Sequence, residues 1–364
     1  MLKEKLKTKF TSTAVIILII ALTLSIFTFS GCKKSTSDIS SSGASGNSST
    51  TLTKTAEDSS ETKQTASSED TVKTQSGGAI EVIDGMGNKI TLEKPASKII
   101  VFSPSVLEIF AGLNAMDKVA EVDNWSVQNN EPLAKGYKGA GDANGINFET
   151  VTKINPDLVI VVGSAYASNA ANEFTKLKDL GYKVFMTNSL SLEVTYSEIE
   201  SIGKIIGKAQ EGKVMSENLR KQVEDIYSKV KDLPEDKNPK VFYMIWNDPI
   251  MSAGKNTFAN ELIEKSGGIN IVAKDGLTDW PEYSLEKLIT NNPDVIIVPT
   301  SLAANPDVIL KDSKFSTINA VVNKKVYSIP DGPISRPNQN VIKGLMMMSM
   351  AIHPEIFGEF KLIE

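Results

Sequence analysis

Two glutamates, three tryptophans, an arginine, a cysteine and a histidine carry most of the chemistry open to this sequence. Glu149 and Glu286 hold matching places in an internal echo: Phe148-Glu149 leads to Asn155-Pro156-Asp157 and the run Leu158–Val161, and Leu285-Glu286 leads to Asn292-Pro293-Asp294 and Val295–Val298. In each copy the glutamate stands seven residues before the proline. A helix must end before such a proline, and Asn and Asp suit the turn into the next strand. The echo predicts a shared helix-turn-strand unit with a carboxylate near each helix start, where the dipole favours negative charge by ~0.3–1 kcal/mol. A pair of carboxylates can also cleave glycosides, but the echo puts these two on equivalent faces of separate halves.

Trp125, Trp246 and Trp280 are the only tryptophans. Each falls in or beside a loop expected at the carboxyl end of a strand, where open α/β sheets bind ligands. Broad indole faces suit a flat or aromatic ligand, and burial in a core is their competing use. Three companion loops are Ser103-Pro104-Ser105, Gly163-Ser164-Ala165 and Met251-Ser252-Ala253-Gly254. Ser103, Ser105 and Ser164 are therefore candidate ligand contacts, with Tyr166 and Tyr283 as rim contacts. Arg336 is one of only two arginines and follows the last expected strand in Gly332-Pro333-Ile334-Ser335-Arg336-Pro337. Its rigid fork suits a ligand carboxylate or phosphate; equally it could clamp loop carbonyls or an internal Asp. Both uses stand open.

Other features close off whole classes of chemistry. Cys32 is the only cysteine, which leaves no disulfide, thiolate metal site or cysteine nucleophile elsewhere. His353 is the only histidine, so a clustered-histidine site for a bare ion is excluded. Its place before Pro354 suits a helix end. No Ser-His or Cys-His pair is expected, and no G-x-G-x-x-G follows a strand, so neither an enzyme nor a resident cofactor is indicated. Met346-Met347-Met348-Ser349-Met350 points in several directions on a helix, which fits core packing. Gly203 and Gly207 fit close packing. The net charge of −5, without a basic block in the body of the chain, argues against nucleic acid.

The elements that must position these groups begin after an unusual leader. Lys3, Lys5, Lys7 and Lys9 precede an apolar run from Ala14 to Phe29. That run is shorter than the ~20 residues of a membrane span and has the flank of an export signal. Residues 1–31 are read as that signal. Residues 32–78 are rich in Ser and Thr with no aromatic residue, the composition of a flexible tether. Thereafter the chain reads as two α/β lobes, 79–210 and 235–364, with mainly parallel sheets. A β-hairpin over Ile80–Ile83 and Lys89–Leu92 opens the first. Its strands are Ile99–Phe102, Val119–Val122, Leu158–Val162 and Lys183–Met186. The second has Val241–Ile245, Ile269–Val272, Val295–Val298 and Val326–Ile329, and a helix over Asn256–Ser266. Between the lobes, within 211–234, Leu219, Val223, Ile226, Val230 and Leu233 form one apolar stripe, which predicts a long connecting helix over Glu211–Asp232.

Several motifs in this order resemble a known family. Lys98–Ser105 with Glu108, Asn147-Phe148-Glu149, the two Asn-Pro-Asp strands, Trp280-Pro281 and His353-Pro354-Glu355 are similar to the cobalamin and ferric-siderophore substrate-binding lipoproteins of ABC importers. The likeness runs over nearly all of residues 80–357. It implies two Rossmann-like lobes bridged by a single long α-helix, with ligand in the cleft between them. It implies that Glu149 and Glu286 dock arginines on the two halves of a membrane permease. Trp280, six residues before Glu286, takes the place of a ring-stacking tryptophan in vitamin B12-binding proteins. Phe29-Ser30-Gly31-Cys32 resembles a bacterial lipobox, with Phe29 where leucine is usual, which implies acylation of Cys32 and an extracytoplasmic, lipid-anchored protein. The implied cargo is a metal chelate: a corrinoid first, then a ferric siderophore, then haem, with a small oxyanion last. Cobalt or iron would arrive inside that ligand, and the protein would act as a monomer. A glycosidase-like enzyme and a surface adhesin are the alternatives from other classes.

Overall fold

The computed structural model describes residues 78–129, 131–142, 145–163, 169–188, 190–303 and 305–363. Cys32, the export signal, the tether up to residue 77, Ser164 and Tyr166 lie outside the described residues. The hairpin pairs β1 (Ile80–Ile83) with β2 (Lys89–Leu92), antiparallel, from Ile80 opposite Leu92 to Ile83 opposite Lys89. Asp84 shapes its turn: Oδ1 accepts from the Met86 and Asn88 amides, and Oδ2 accepts from the Met186 amide at 3.2 Å. The turn is thereby tied to the lobe behind it. Gly85 is required there, because a Cβ would fall 2.3 Å from Glu198 Oε1.

The N-terminal lobe continues with β3 (Ile99–Phe102), α1 (Pro104–Gly112), β4 (Val119–Val122) and α2 (Asn124–Gln128). The short pair β5 (Gly141–Asp142) and β6 (Gly145–Ile146) precedes α3 (Phe148–Ile154), β7 (Leu158–Val162) and α4 (Asn169–Asp179). The lobe closes with β8 (Val184–Thr187) and α5 (Leu192–Ile205). Its main sheet is parallel, in the order β4-β3-β7-β8. These strands are apolar at nearly every position because helices cover both faces. Ile100, Phe102, Val159 and Val161 join Val151 of α3 and Phe174 of α4 in one cluster. Ile99, Val101, Leu158 and Ile160 point the other way, into a cluster with Phe110 of α1 and Ile199 of α5.

The connecting helix α6 spans Ala209–Tyr227 and buries Leu219, Val223 and Ile226, as the stripe predicts. At ~1.5 Å per residue it is about 28 Å long. It ends earlier than Asp232 because the last turn tightens: the Lys229 amide bonds Ile226 O and the Val230 amide bonds Tyr227 O, three residues back. Val230 is still buried beyond that point. Gly203 and Gly212 let α5 and α6 touch, since a Cβ on Gly203 would sit 2.9 Å from Gly212 Cα.

In the C-terminal lobe β9 (Lys240–Asn247) turns into β10 (Ile250–Ser252), followed by α7 (Phe258–Lys265), β11 (Ile269–Asn270) and α8 (Ile271–Lys274). Then come α9 (Leu285–Asn291), β12 (Val295–Pro299), α10 (Asp307–Leu310), α11 (Asn319–Val322) and β13 (Val326–Ile329). Helices α12 (Asp331–Ser335), α13 (Val341–Ile352) and α14 (Pro354–Phe357) complete it. The sheet order is β10-β9-β12-β13, with β11 also on β9, and only the β10 pairing is antiparallel. The expected strand Ile269–Val272 is thus cut to two residues. Asn270 is the cause: its Oδ1 accepts from the Val272 amide and starts a helix, while its Nδ2 donates to Ala253 O and Asn260 Oδ1.

A single apolar cluster joins the inner faces of both sheets through α5, α6, α7 and α13, with Ile202, Leu219, Leu262 and Leu345 among its members. The lobes are therefore not two bodies on a bare rod. A large change in their relative angle would have to break close packing.

Candidate functional site

An open cavity of about 1020 Å³ lies between the lobes, at the carboxyl ends of the parallel strands. The N-terminal lobe supplies Ser103–Val106 after β3, Val162 at the end of β7, Thr187 at the end of β8 and Leu190 beyond it. The C-terminal lobe supplies Asn256–Phe258 at the start of α7, Asp279 and Trp280 before α9, and Ser335–Pro337 at the end of α12. Parallel strands all end on one side, so their following loops gather there. Two such sheets facing each other make a cleft.

The expected contacts divide sharply within this frame. Trp125, Trp246 and Trp280 are 47%, 52% and 50% exposed, so none is a core residue. Trp280 lines the cavity. Trp125, the second residue of α2, lies against the Arg336 guanidinium, 5.7 Å from ring centroid to Cζ. Trp246 is at the end of β9 rather than in a loop, and its Nε1 donates to Asp248 O at 2.8 Å. Ser103 and Ser105 both line the cavity, but their hydroxyls have structural partners. Ser103 Oγ caps α1 by accepting from the Val106 amide, and Ser105 Oγ donates across the lobes to Pro337 O.

Tyr283 does not sit on the rim. It is 1% exposed, packs against Phe242, and its hydroxyl bonds Asp275 Oδ2 at 2.8 Å and Asn291 Nδ2 at 2.6 Å. Burial pushes its phenol pKa up. The cause is local alternation: Met251 bridges Glu282, the Tyr283 amide bonds Ile250 O, and this extended segment turns Tyr283 inward beside exposed Glu282. The loop Met251–Gly254 also differs from expectation, because Ser252 and Ala253 are fully buried and Ser252 Oγ donates to Tyr243 O. Thr187, Leu190 and the segment Asn256–Phe258, which the sequence reading passed over, stand in the cavity wall. A signal did exist for the last of these: Thr257 directly precedes the apolar run of α7 and caps it by accepting from the Asn260 amide.

Arg336 reaches from the C-terminal lobe to two carboxylates of the N-terminal lobe. Its Nη1 donates to Glu108 Oε1 at 3.2 Å and Glu131 Oε2 at 3.0 Å, and its Nη2 donates to Glu131 Oε1. Burial alone would disfavour its charge, but Glu131 and then Glu108 outweigh that and hold the guanidinium protonated more firmly than usual. Glu108 also accepts from Asn338 Nδ2 and Asn340 Nδ2, and its backbone carbonyl accepts from Gln339 Nε2. Arg336 thus clamps two internal glutamates, where an Asp or loop carbonyls were expected, while also lining the cavity. A further polar crossing runs from the Leu192 amide to Glu261 Oε2 at 2.7 Å.

Glu149 and Glu286 are each exposed in the first turn of a seven-residue helix, one on each lobe. Asn147 caps α3 by accepting from the Thr150 amide, and Ser284 caps α9 by accepting from the Lys287 amide. His353, by contrast, is buried, with Nδ1 on Glu355 and Nε2 on Gly267 O, and it does not line the cavity. Among the described residues no cluster of three or more His, Cys, Asp or Glu is placed to hold a metal ion.

Two parallel-sheet lobes with a cleft at their strand ends define a two-lobed binding protein. Residues 99–333 match the periplasmic binding protein family, and the chain belongs to that family. Among its relatives, the uncharacterized ABC transporter substrate-binding lipoprotein YvrC of Bacillus subtilis is 29% identical over 77% of this chain and 87% of its own length. The vitamin B12-binding protein of Vibrio campbellii is 28% identical over 69% of this chain and 87% of its own. Among solved structures, a possible iron-binding periplasmic solute-binding protein of Staphylococcus epidermidis superposes with a TM-score of 0.61 at 28% identity, over 71% of this chain and all of its own.

Proposed function

We propose that this chain is the extracytoplasmic substrate-binding component of an ABC importer and carries a metal-chelate nutrient in its inter-lobe cleft. The observation that carries the reading is the cleft itself: about 1020 Å³, at the upper end of ordinary ligand pockets at ~300–1,000 Å³, with a half-exposed tryptophan in its wall. Trp280 offers a broad face to a corrin, a porphyrin or an aromatic chelator. A corrinoid is the first choice of cargo, in keeping with the B12-binding relative; a ferric siderophore is next and haem third. Cys32 would carry the lipid that holds the protein to the membrane, in keeping with the lipoprotein relative.

Glu149 and Glu286 serve as the docking contacts for permease arginines. Their support is equivalence: both are exposed, both open a capped helix, and each lobe supplies one. Exposed charges of this kind govern register and encounter more than equilibrium tightness.

Titration of cobalamin into the soluble part of the chain, followed by intrinsic tryptophan fluorescence, tests the cargo. Saturable quenching that Trp280→Ala weakens at least tenfold is expected. No response to a corrinoid, a ferric chelate or haem would defeat the reading. In whole cells, Glu149→Lys with Glu286→Lys should reduce uptake to background while the purified protein keeps its affinity within about threefold, less than 1 kcal/mol. A collapse of affinity instead would move these acids into the binding site.

A further inference from the structure

The cleft has a chain-specific charge pattern that bears on its cargo. Among the described residues that line it, Arg336 is the only cation. Its donors face Glu108 and Glu131, and its guanidinium lies 5.7 Å from the centre of the Trp125 ring. Two carboxylates against one guanidinium leave excess negative charge beside the cavity, although neither Glu108 nor Glu131 lines it. Asp279, on the same lobe as Arg336, is exposed beside Trp280, and Glu198 of the N-terminal lobe adds a carboxyl group just past the end of β8, where its Oε1 accepts from the Asn188 amide. Lys255, next to Asn256 in sequence, is exposed but does not line the cavity.

We infer that the cleft selects an uncharged or cationic metal chelate and rejects anionic ones. The inference rests on the reading of the cleft as a chelate site and narrows it. An anionic ligand entering a confined space needs a cation or unpaired donors to replace its hydration. The one guanidinium here already spends Nη1 and an Nη2 bond on Glu108 and Glu131, and taking it from them would leave two half-buried carboxylates without their counter-ion. A corrinoid or a ferric hydroxamate, whose net charge is zero or positive, meets no such obstacle. Tris-catecholate complexes and the propionates of haem do. The tryptophan wall supplies area without charge, which suits the same class.

Two charge-contrasted pairs of probes test this, read by tryptophan quenching of the whole soluble chain. One pair is a cationic ferric tris-hydroxamate against a trianionic ferric tris-catecholate of similar size. The other is cobalamin against cobalamin whose peripheral amides have been hydrolysed to carboxylates. Within whichever pair binds, the anionic member should be at least about 100-fold weaker at low salt, or about 2.7 kcal/mol. The gap should narrow as salt screens the cleft, the Debye length being ~10 Å at 0.1 M. Glu131→Gln releases part of the Arg336 fork and should raise anion affinity while lowering that of the cation. Asp279→Asn should shift the preference the same way without touching the inter-lobe contacts, since asparagine also accepts the positive φ of 59° at that position. Equal or tighter binding of the anionic member overturns the inference and leaves the cleft reading intact. So does anion binding that depends on Lys255, tested by Lys255→Gln, or a charge preference unmoved in both acid variants. If no member of either pair binds, the cleft reading itself fails and the inference falls with it.

Discussion

In the N-terminal lobe α3 opens with Asn147, presents Glu149, buries Val151 and stops on Asn155 at φ 50°; in the C-terminal lobe α9 opens with Ser284, presents Glu286, buries Leu288 and stops on Asn292 at φ 46°. Each then enters its strand through an aspartate that fixes the neighbouring strand: Asp157 takes the amides of Ser97 and Lys98, and Asp294 takes that of Lys240. The lobes part company on the far side of the central strand. There the N-terminal lobe has a full parallel strand, β4, whereas the C-terminal lobe has the two-residue β11 and the antiparallel β10 along the same edge of β9. The shared unit carries the acid on each shoulder, and the unshared β10 pairs Met251 with Trp246 of β9 and leads into Asn256–Phe258 of the cleft wall. The exposed helix-start acid is thus repeated between the lobes, while this sheet edge is not.

This equivalence can be broken by substitution, and the buried positions should give the largest effect. Leu288→Ala should lower unfolding stability by about 2–5 kcal/mol. Val151→Ala should do the same with a smaller loss, because it deletes less of the side chain. Denaturant titration measures both, and a negligible loss at either site would mean that the two helices are not equivalent anchors.

The aspartates come next. Asp157 accepts three hydrogen bonds, from the Ser97 amide and hydroxyl and the Lys98 amide, whereas Asp294 Oδ2 accepts from the Lys240 amide. Asp157→Ala should therefore be the more damaging, by about 1–3 kcal/mol. Burial works against the charge of Asp157, but its hydrogen bonds from Ser97 and Lys98, with the field of Lys94, hold its pKa below the ordinary value. A depressed acid contributes stability above its unfolded pKa of ~3.9 and loses it as pH falls through the folded value. The variant should accordingly lose less stability than the parent on going from about pH 5 down to pH 2. Parallel acid profiles would remove Asp157 from this role.

Smallest of all should be the helix stops. Asn155→Ala and Asn292→Ala each place a Cβ-bearing residue without a compensating side-chain amide in the left-handed region, at about 1 kcal/mol. Glycine at either position should be tolerated. Similar melting shifts at both sites sharpen the comparison; a shift at one alone confines the motif to that lobe.

Much of the scaffold was legible because its causes are local. Apolar strand runs, the Asn-Pro-Asp turns and the stripe on α6 follow from residue type and spacing, and they put Glu149 and Glu286 at helix starts. The cleft was only half legible. Loops after parallel strands must gather on one side, which brought Ser103, Trp280 and Arg336 into consideration. Tyr283 was misplaced because its direction depends on pairing with Ile250, a residue 33 positions earlier. The shortening of Ile269–Val272 likewise turns on Asn270 reaching Ala253 and Asn260.

The sequence by itself determined that two similar α/β lobes follow one another, that each carries an acid in the same place, and that cysteine and clustered-histidine chemistry is absent from the body of the chain. Tertiary structure alone decided which groups Arg336 pairs with. Its partners Glu108 and Glu131 lie 228 and 205 residues away, on the other lobe. An ion pair is a matter of a few ångströms in space, and local patterning cannot specify which distant carboxylate a guanidinium will meet when the chain closes on itself.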